Sequence, residues 1–140
     1  MPLALIPDIH RATHRIGLFI ARCPGIAITQ GEAHILAFLH EQGPATVGEV
    51  HAALSHKRST LSSLLNRLEQ RRFIVREVHP ANRKTFLIRL TPSGARAAAG
   101  ISTWMGRLEE SVLEGVTPAQ LRTLRTVLAR FEACRVHAIL

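Results

Sequence analysis

Residues 57–94 read KRSTLSSLLNRLEQRRFIVREVHPANRKTFLIRLTPSG, and the fold follows from this stretch. Its first third carries leucines at positions i, i+3, i+4 and i+7, namely Leu61, Leu64, Leu65 and Leu68. This spacing places the leucines on one stripe of an α-helix, and such a stripe must face a core. We therefore expect a helix over about 57–71.

A β-hairpin is expected directly after this helix. Segments 73–78 and 85–90 are rich in β-branched and aromatic residues, which favour strands. The intervening segment, 79–84, reads HPANRK and has turn chemistry. The hairpin would therefore end in a basic tip that carries Arg83 and Lys84.

The face of the 57–71 helix opposite the leucines is unusual for a surface helix. It presents hydroxyl and amide side chains and a single acid, Glu69, where Glu and Lys are common. Small neutral polar groups can enter a major groove and bond base edges or phosphates, whereas a carboxylate would be repelled. This composition favours a surface that contacts nucleic acid.

The net charge points to the same partner. The 140 residues include 18 Lys plus Arg against 10 Asp plus Glu, a net charge of +8 with neutral His. Nine basic and three acidic residues lie between Thr46 and Pro92, so this third of the chain carries +6 of the surplus. Such a local basic footprint is typical of a protein with an anionic partner such as DNA.

Helix starts are marked by a threonine with Glu or Gln three residues later, as at Thr29, Thr46 and Thr117. Thr91-Pro92 marks a further start, Asp8 after Pro7 another, and Gly43 a helix end. The predicted helices span 8–22, 30–42, 47–54, 57–71, 92–115 and 118–137. We find no internal repeat or flexible linker.

With these elements in place, the chain resembles the MarR (multiple-antibiotic-resistance regulator) family of winged helix-turn-helix transcription regulators. The resemblance runs from about Thr29 to Gly94 and is carried by residues 59–76, by the wing-tip segment 80–84 and by residues 86–94. It implies a mainly α fold with a small β-wing and one domain over 1–140. The DNA-binding core would span 30–92, flanked by dimerisation helices at 8–22 and 93–137.

The resemblance also implies a function. The chain would bind double-stranded DNA with a recognition helix in the major groove and a basic wing in the minor groove, and would act as a repressor released by a small molecule. Arg83 matches the wing arginine of the family. The candidate DNA-binding residues are Lys57, Arg58, Ser59, Thr60, Ser62, Ser63, Asn66, Arg67, Arg83 and Lys84.

Three residues depart from the family pattern. Asn82 stands where Asp usually holds the wing arginine through a charge pair, and an amide would hold it more weakly. Ser63 stands where Arg is common, which removes one contact with DNA. Arg72 replaces a frequent helix-ending Gly, so the left-handed exit from the helix would be strained or differently built.

A homodimer is expected from the last two helices. Their apolar surface is broader than one packing partner needs, so a second subunit is the natural cover, and the operator would be palindromic. The apolar residues are Ile101, Trp104, Met105, Leu108 and Val112 on one helix, and Leu121, Leu124, Val127, Leu128, Phe131, Cys134 and Ala138 on the other.

The effector expected from the resemblance is a small amphipathic or aromatic acid bound between the dimerisation helices and the core. There His14 and Arg15 would offer cations and Trp104 an aromatic wall. No cofactor is expected. The histidines show no metal-ligand spacing with an acid or thiol, so no metal site is expected either.

Other functions have partial support in the sequence. Cys23 and Cys134, one near each end, leave open a cysteine-based redox regulator of the same fold, although a lone cysteine is usually a small buried hydrophobe. A winged-helix module that binds protein is a further alternative, which the basic wing disfavours. No phosphate loop, nucleophile elbow or carboxylate pair indicates an enzyme.

Cellular location is indicated by the N-terminus. It is apolar but short and is broken by Pro2 and Pro7, so it reads as neither a signal peptide nor a membrane span. We expect a cytoplasmic protein with no membrane partner.

Overall fold

The computed structural model describes residues 2–134, which form helices and a small sheet as predicted. The elements in chain order are α1 (Ile6–Ile20), α2 (Gln30–Gln42), β1 (Ala45–Thr46), α3 (Val47–Leu54), α4 (Arg58–Gln70), β2 (Ile74–Val78), β3 (Phe86–Leu90), α5 (Pro92–Val112) and α6 (Pro118–Ala133). The described residues form two compact units, 2–108 and 109–134. The mainly α fold class with a β-wing is confirmed.

Threonine caps begin the helices where the sequence placed them. The Thr29 and Thr46 hydroxyls accept from the N–H three residues later, which satisfies one orphan donor of the first turn. At Thr117 the box is reciprocal, since the Gln120 side chain also accepts from Thr117 N at 2.9 Å. At Thr29 the Glu32 side chain does not accept from the backbone N–H of the cap. Its Oε1 accepts from the Thr29 hydroxyl at 2.8 Å, and the same hydroxyl also accepts from Glu32 N.

The helix boundaries predicted for α1, α4, α5 and α6 differ from the structure, in which α1 ends at Ile20 and not at residue 22, and α4 is one residue shorter at each end than the predicted 57–71. The first helix begins at Ile6 and not at Asp8, because Pro7 fits the first turn and Asp8 serves there as an acidic residue, paired with Arg11. The helix predicted over 92–115 ends at Val112, ahead of Gly115 with φ of 78°. The last described helix ends at Ala133, and the predicted extension over 135–137 lies outside the described residues.

The sheet has one strand more than the sequence indicated. Its antiparallel order is β1-β3-β2, with Ala45 of β1 opposite Ile88 of β3. The wing strands pair over their whole length, from Ile74 opposite Leu90 to Val78 opposite Phe86. β1 therefore fastens the base of the wing to the start of α3.

The core is built by the apolar stripes of α2 and α4 against the sheet. The predicted leucine stripe of α4 is buried as expected. Each such side chain contributes about 2 kcal/mol when it leaves water. The largest of these buried side chains are Ile35, Leu36, Leu39, Leu61, Leu65, Leu68, Ile74 and Ile88. This packing fixes which face of α4 is turned to solvent.

Candidate nucleic-acid interface

The outward face of α4 gathers the candidate residues of the recognition helix. All of them are exposed, and the four leucines of the same helix are buried. The exposed residues are Lys57, Arg58, Ser59, Thr60, Ser62, Ser63, Asn66 and Arg67. A surface of short polar groups beside cations can approach base edges and phosphates without carboxylate repulsion.

The start of α4 is open to an anion. Its N-cap, Lys57, makes no side-chain capping bond, and the first turn contains no acid. The unpaired N–H groups and the positive end of the helix dipole therefore face solvent beside Lys57 and Arg58. A phosphate oxygen is the natural partner of such an end.

Arg76 of β2 ties the wing to α4. Its Nη2 donates to Asn66 Oδ1 at 2.7 Å. Its Nε lies 3.2 Å from Glu69 Oε2, close enough for an ion pair, although the N–H is not aimed well enough to count as a hydrogen bond. Sequence reasoning did not single out Arg76. The signal available in the sequence was its spacing. Arg76 lies two residues after Ile74 in β2, so the two side chains lie on the same face of the strand, the one turned to the core.

The wing tip is held by its own backbone. His79 N donates to Thr85 O at 3.0 Å, and Thr85 N to Asn82 O at 3.1 Å. The Asn82 side chain accepts from Lys84 N at 3.1 Å, so its amide fixes the turn and not the neighbouring arginine. Arg83 is exposed and, within residues 2–134, makes no side-chain hydrogen bond or ion pair.

The junction between α4 and the wing contains the left-handed residue that the sequence suggested. Arg72 has φ of 61°, a conformation that costs a non-glycine residue about 1 kcal/mol or more. Two hydroxyls compensate, since Thr91 and Ser93 both donate to Arg72 O, at 2.6 and 3.1 Å. The start of α5 therefore locks the exit from α4.

Gly94 lets α5 approach this junction. A Cβ at Gly94 would lie 1.8 Å from Phe73 O, the same carbonyl that accepts from Thr91 N at 3.0 Å. Only a residue without a side chain fits there.

The apolar surface expected to dimerise differs between the two helices. On α5, Ile101 is part of the core and Val112 is 65% exposed. Trp104, Met105 and Leu108 are half-buried. On α6, considered by itself, Leu124, Leu128 and Phe131 are all exposed. Leu121 and Val127 are half-buried, Cys134 is exposed, and Ala138 lies outside the described residues.

The three residues suggested for an effector differ in their surroundings. Trp104 stacks on Phe19 with ring centroids 4.4 Å apart, and its Nε1 donates to Phe19 O at 2.8 Å. It lines a cavity of about 360 Å³ together with Cys23 and Arg107. His14 and Arg15 are exposed on α1 and do not line this cavity.

A neighbouring cleft has the chemistry that sequence reasoning assigned to those residues. It has a volume of about 430 Å³, and Arg71, Arg96 and Phe73 line it together with apolar residues such as Ile26 and Ile101. Arg96 is exposed and forms no ion pair in the part of the chain that the structure describes. The cleft therefore offers a free cation, an aromatic ring and an apolar wall.

Arg71 connects this cleft to the interior. Its Nη1 lies 3.1 Å from Oε2 of Glu32, which is 4% exposed, and its guanidinium carbon lies 4.9 Å from the centroid of Phe73. A buried carboxylate requires such a partner. The sequence alone indicates that Glu32 is an acid on the buried side of α2. It does not indicate that Arg71 is its partner.

The two cysteines are free and differ in environment. Cys23 is buried, and burial raises the pKa of its thiol, which disfavours the reactive thiolate. Cys134 is exposed. The raised pKa of Cys23 is the opposite of what a peroxide-sensing thiol requires.

The histidines do not assemble a metal site among the described residues. Burial, with a smaller contribution from the charge of His56, lowers the pKa of His34, so His34 is neutral at pH 7. No three His, Cys, Asp or Glu residues within 2–134 are grouped closely enough to hold a metal ion. The described helices also include none long and apolar enough to cross a membrane.

Comparison with known proteins places the interface in context. The model of the MarR family matches residues 24–84. Over 136 residues the chain is 24% identical to the uncharacterised HTH-type transcriptional regulator YsmB of Bacillus subtilis. This alignment covers 94% of this chain and 93% of the relative.

Solved structures share the fold. The S. aureus MepR–DNA complex aligns with a TM-score of 0.79 at 19% identity, over 94% of this chain and 98% of that one. BpsR of Bordetella bronchiseptica, whose DNA binding is regulated by 6-hydroxynicotinic acid, aligns with a TM-score of 0.74 at 20% identity, over 96% and 100% of the two chains. The winged helix is thus common to all three.

Proposed function

We propose that this chain, in which residues 24–84 match the model of the MarR family, is a transcriptional regulator of that type and binds double-stranded DNA in a sequence-specific manner, as a homodimer on a palindromic operator. The observation that carries the proposal is the exposed polar face of α4, which lacks carboxylates in its first turn and is flanked by cations. MepR has been solved in complex with DNA, and its fold is the one found here.

In the proposed complex α4 lies in the major groove. The uncapped start of the helix faces a phosphate, which sets the register without reading sequence. Ser62, Ser63 and Asn66 then face base edges, where hydroxyls and amides can donate and accept. The buried leucines hold this orientation, because a rotation of α4 would expose them.

The wing supplies affinity. Arg83, exposed and unpaired within residues 2–134, enters the minor groove, where the negative potential is strong. Since Asn82 is engaged with the Lys84 backbone, the position of Arg83 depends on the turn and not on a side-chain partner.

Dimerisation follows from the apolar side chains of α6. Leu124, Leu128 and Phe131 are 48%, 38% and 46% exposed, and a second subunit is the natural cover for such a stripe. Two subunits related by a twofold axis would present two α4 helices to successive major grooves. Because the target is genomic DNA, we place the protein in the cytoplasm.

We further propose that an organic anion releases the repressor, and that its site is the cleft between Arg71 and Arg96. An aromatic carboxylate fits a cleft that contains two guanidinium groups, Phe73 and an apolar wall. It would compete with Glu32 for Arg71, the residue at the end of α4, and so couple the cleft to the recognition helix. BpsR responds to an acid of this class.

Two alternatives use the same fold. A redox regulator would depend on Cys23 or Cys134, and the raised pKa of the buried Cys23 thiol argues against its use as the reactive group. The exposed basic wing tip, Arg83 and Lys84, argues against a module that binds protein and not DNA.

A gel-shift titration separates these functions. The full chain is titrated against a random 30-base-pair duplex and against duplexes selected from a random pool, at low and high salt. We expect selected duplexes to bind at least about 1,000 times more tightly than random ones, with affinity for both falling steeply as salt rises. No binding at low salt, or binding without any sequence preference, would contradict the proposal.

A further inference from the structure

We infer that Arg76 fixes the amide of Asn66 so that the recognition helix reads guanine, not adenine, at one position of each half-site. This inference rests on the proposed function, since it requires α4 to lie in the major groove. It assigns a specificity-setting role to a strand residue that does not itself need to touch DNA.

The chemistry of the contact determines how the Asn66 amide is turned. A guanidinium group has five N–H donors and no acceptor. The Asn66 atom that lies 2.7 Å from Arg76 Nη2 must therefore be the oxygen, and the NH₂ group must be on the other side. The contact is charge-assisted, which makes it about twice as strong as a neutral one.

The position of Arg76 determines which amide atom faces outward. Its side chain is 27% exposed and comes from β2, which packs against α4, so the Asn66 oxygen is turned back towards the protein. Glu69 lies 3.2 Å from Arg76 Nε and restrains the guanidinium from its other side. Within residues 2–134, Nδ2 of Asn66 donates to no acceptor and is left to face solvent.

The exposed NH₂ group selects the base. Asparagine reads adenine when its oxygen accepts from N6 and its NH₂ donates to N7, which requires both amide atoms on the outward edge. Here the outward edge has a donor only. Guanine matches it best, since its major-groove edge presents two acceptors, O6 and N7.

The experiment is a selection of bound duplexes from a random pool with the full-length wild-type chain and with variants. Asn66→Ala identifies the operator position that Asn66 reads, because the preference there is lost. At this position the wild type should favour guanine. Arg76→Met frees the amide to rotate, and the guanine-to-adenine preference should fall by about tenfold.

Arg89→Met is the matched control. Arg89 is also an arginine of the wing paired with an acid, Glu77 at 3.3 Å, but it lies on β3 and, within residues 2–134, its side chain forms no hydrogen bond or ion pair with α4. This variant should keep the wild-type base preference. A merely structural role of Arg76 would lower affinity for all sequences equally and leave the preference unchanged.

Asn66→Asp is a second variant, chosen because an exposed substitution keeps the fold. It retains an oxygen for Arg76 but has no outward donor, so the guanine preference should disappear. Adenine at the Asn66 position in wild type, or an unchanged guanine preference in Arg76→Met or Asn66→Asp, overturns the inference while leaving the regulator intact. A wild-type pool without any enrichment overturns the proposed function itself.

Discussion

Replacing Gly94 by alanine tests the junction that positions the wing. The new Cβ would lie 1.8 Å from Phe73 O, so the two backbones must separate by about 1.2 Å to reach the shortest distance that real contacts show, 3.0 Å. Overpacking of this kind costs about 1–3 kcal/mol, and loss of the hydrogen bond from Thr91 N to Phe73 O adds about 1 kcal/mol. We expect Gly94→Ala to lower the free energy of unfolding by about 3 kcal/mol.

The assay is urea unfolding followed by circular dichroism at one protein concentration, since a dimer's stability depends on concentration. Gly106→Ala is the matched control, because Gly106 lies on the same helix with nothing within 4 Å of the added Cβ. This control should be neutral or stabilising by up to about 1 kcal/mol. A Gly94→Ala midpoint equal to wild type, or an equal loss in Gly106→Ala, would refute the reasoning.

Three further predictions follow from the same structure. Arg72→Gly should raise the free energy of unfolding by about 0.5–1 kcal/mol by relieving the left-handed strain, and a lower urea midpoint would count against this. Stoichiometric peroxide should leave DNA affinity unchanged, because the raised pKa of Cys23 keeps its thiol protonated; a disulfide-linked dimer through Cys134 that releases DNA would favour the redox alternative. Removing the residues after Thr117 should abolish dimerisation and tight binding, and a soluble monomer with full affinity would contradict the dimer.

Much of the fold was predictable because local signals mark its boundaries. α2 and α3 were placed at their observed bounds, since Thr29 and Thr46 cap their starts and Gly43, with φ of 78°, ends the first of them. β1 was missed because two residues carry no periodicity, and its pairing is set by Ile88, more than forty residues later. Local chemistry therefore predicts where elements begin, whereas tertiary pairing decides the shortest ones.

The candidate site divides in the same way. The exposed face of α4 and the wing tip follow from the leucine stripe and the turn, both of which are local patterns. The ion pair of Glu32 with Arg71 joins residues 39 apart in sequence, and the bond from Arg76 to Asn66 depends on how β2 packs on α4. Such pairs form only when the folded backbone brings the two side chains together, so no local pattern in the sequence predicts them.

The salt dependence of DNA binding by Arg83→Ala tests the central claim most directly. If each wing neutralises about one phosphate, this variant should bind all sequences more weakly, and its slope of log K against log salt should be shallower by about two units per dimer. Arg107→Ala on α5 should leave the slope unchanged. Wild-type affinity and an unchanged slope for Arg83→Ala would show that the wing does not contact DNA and would contradict the mechanism.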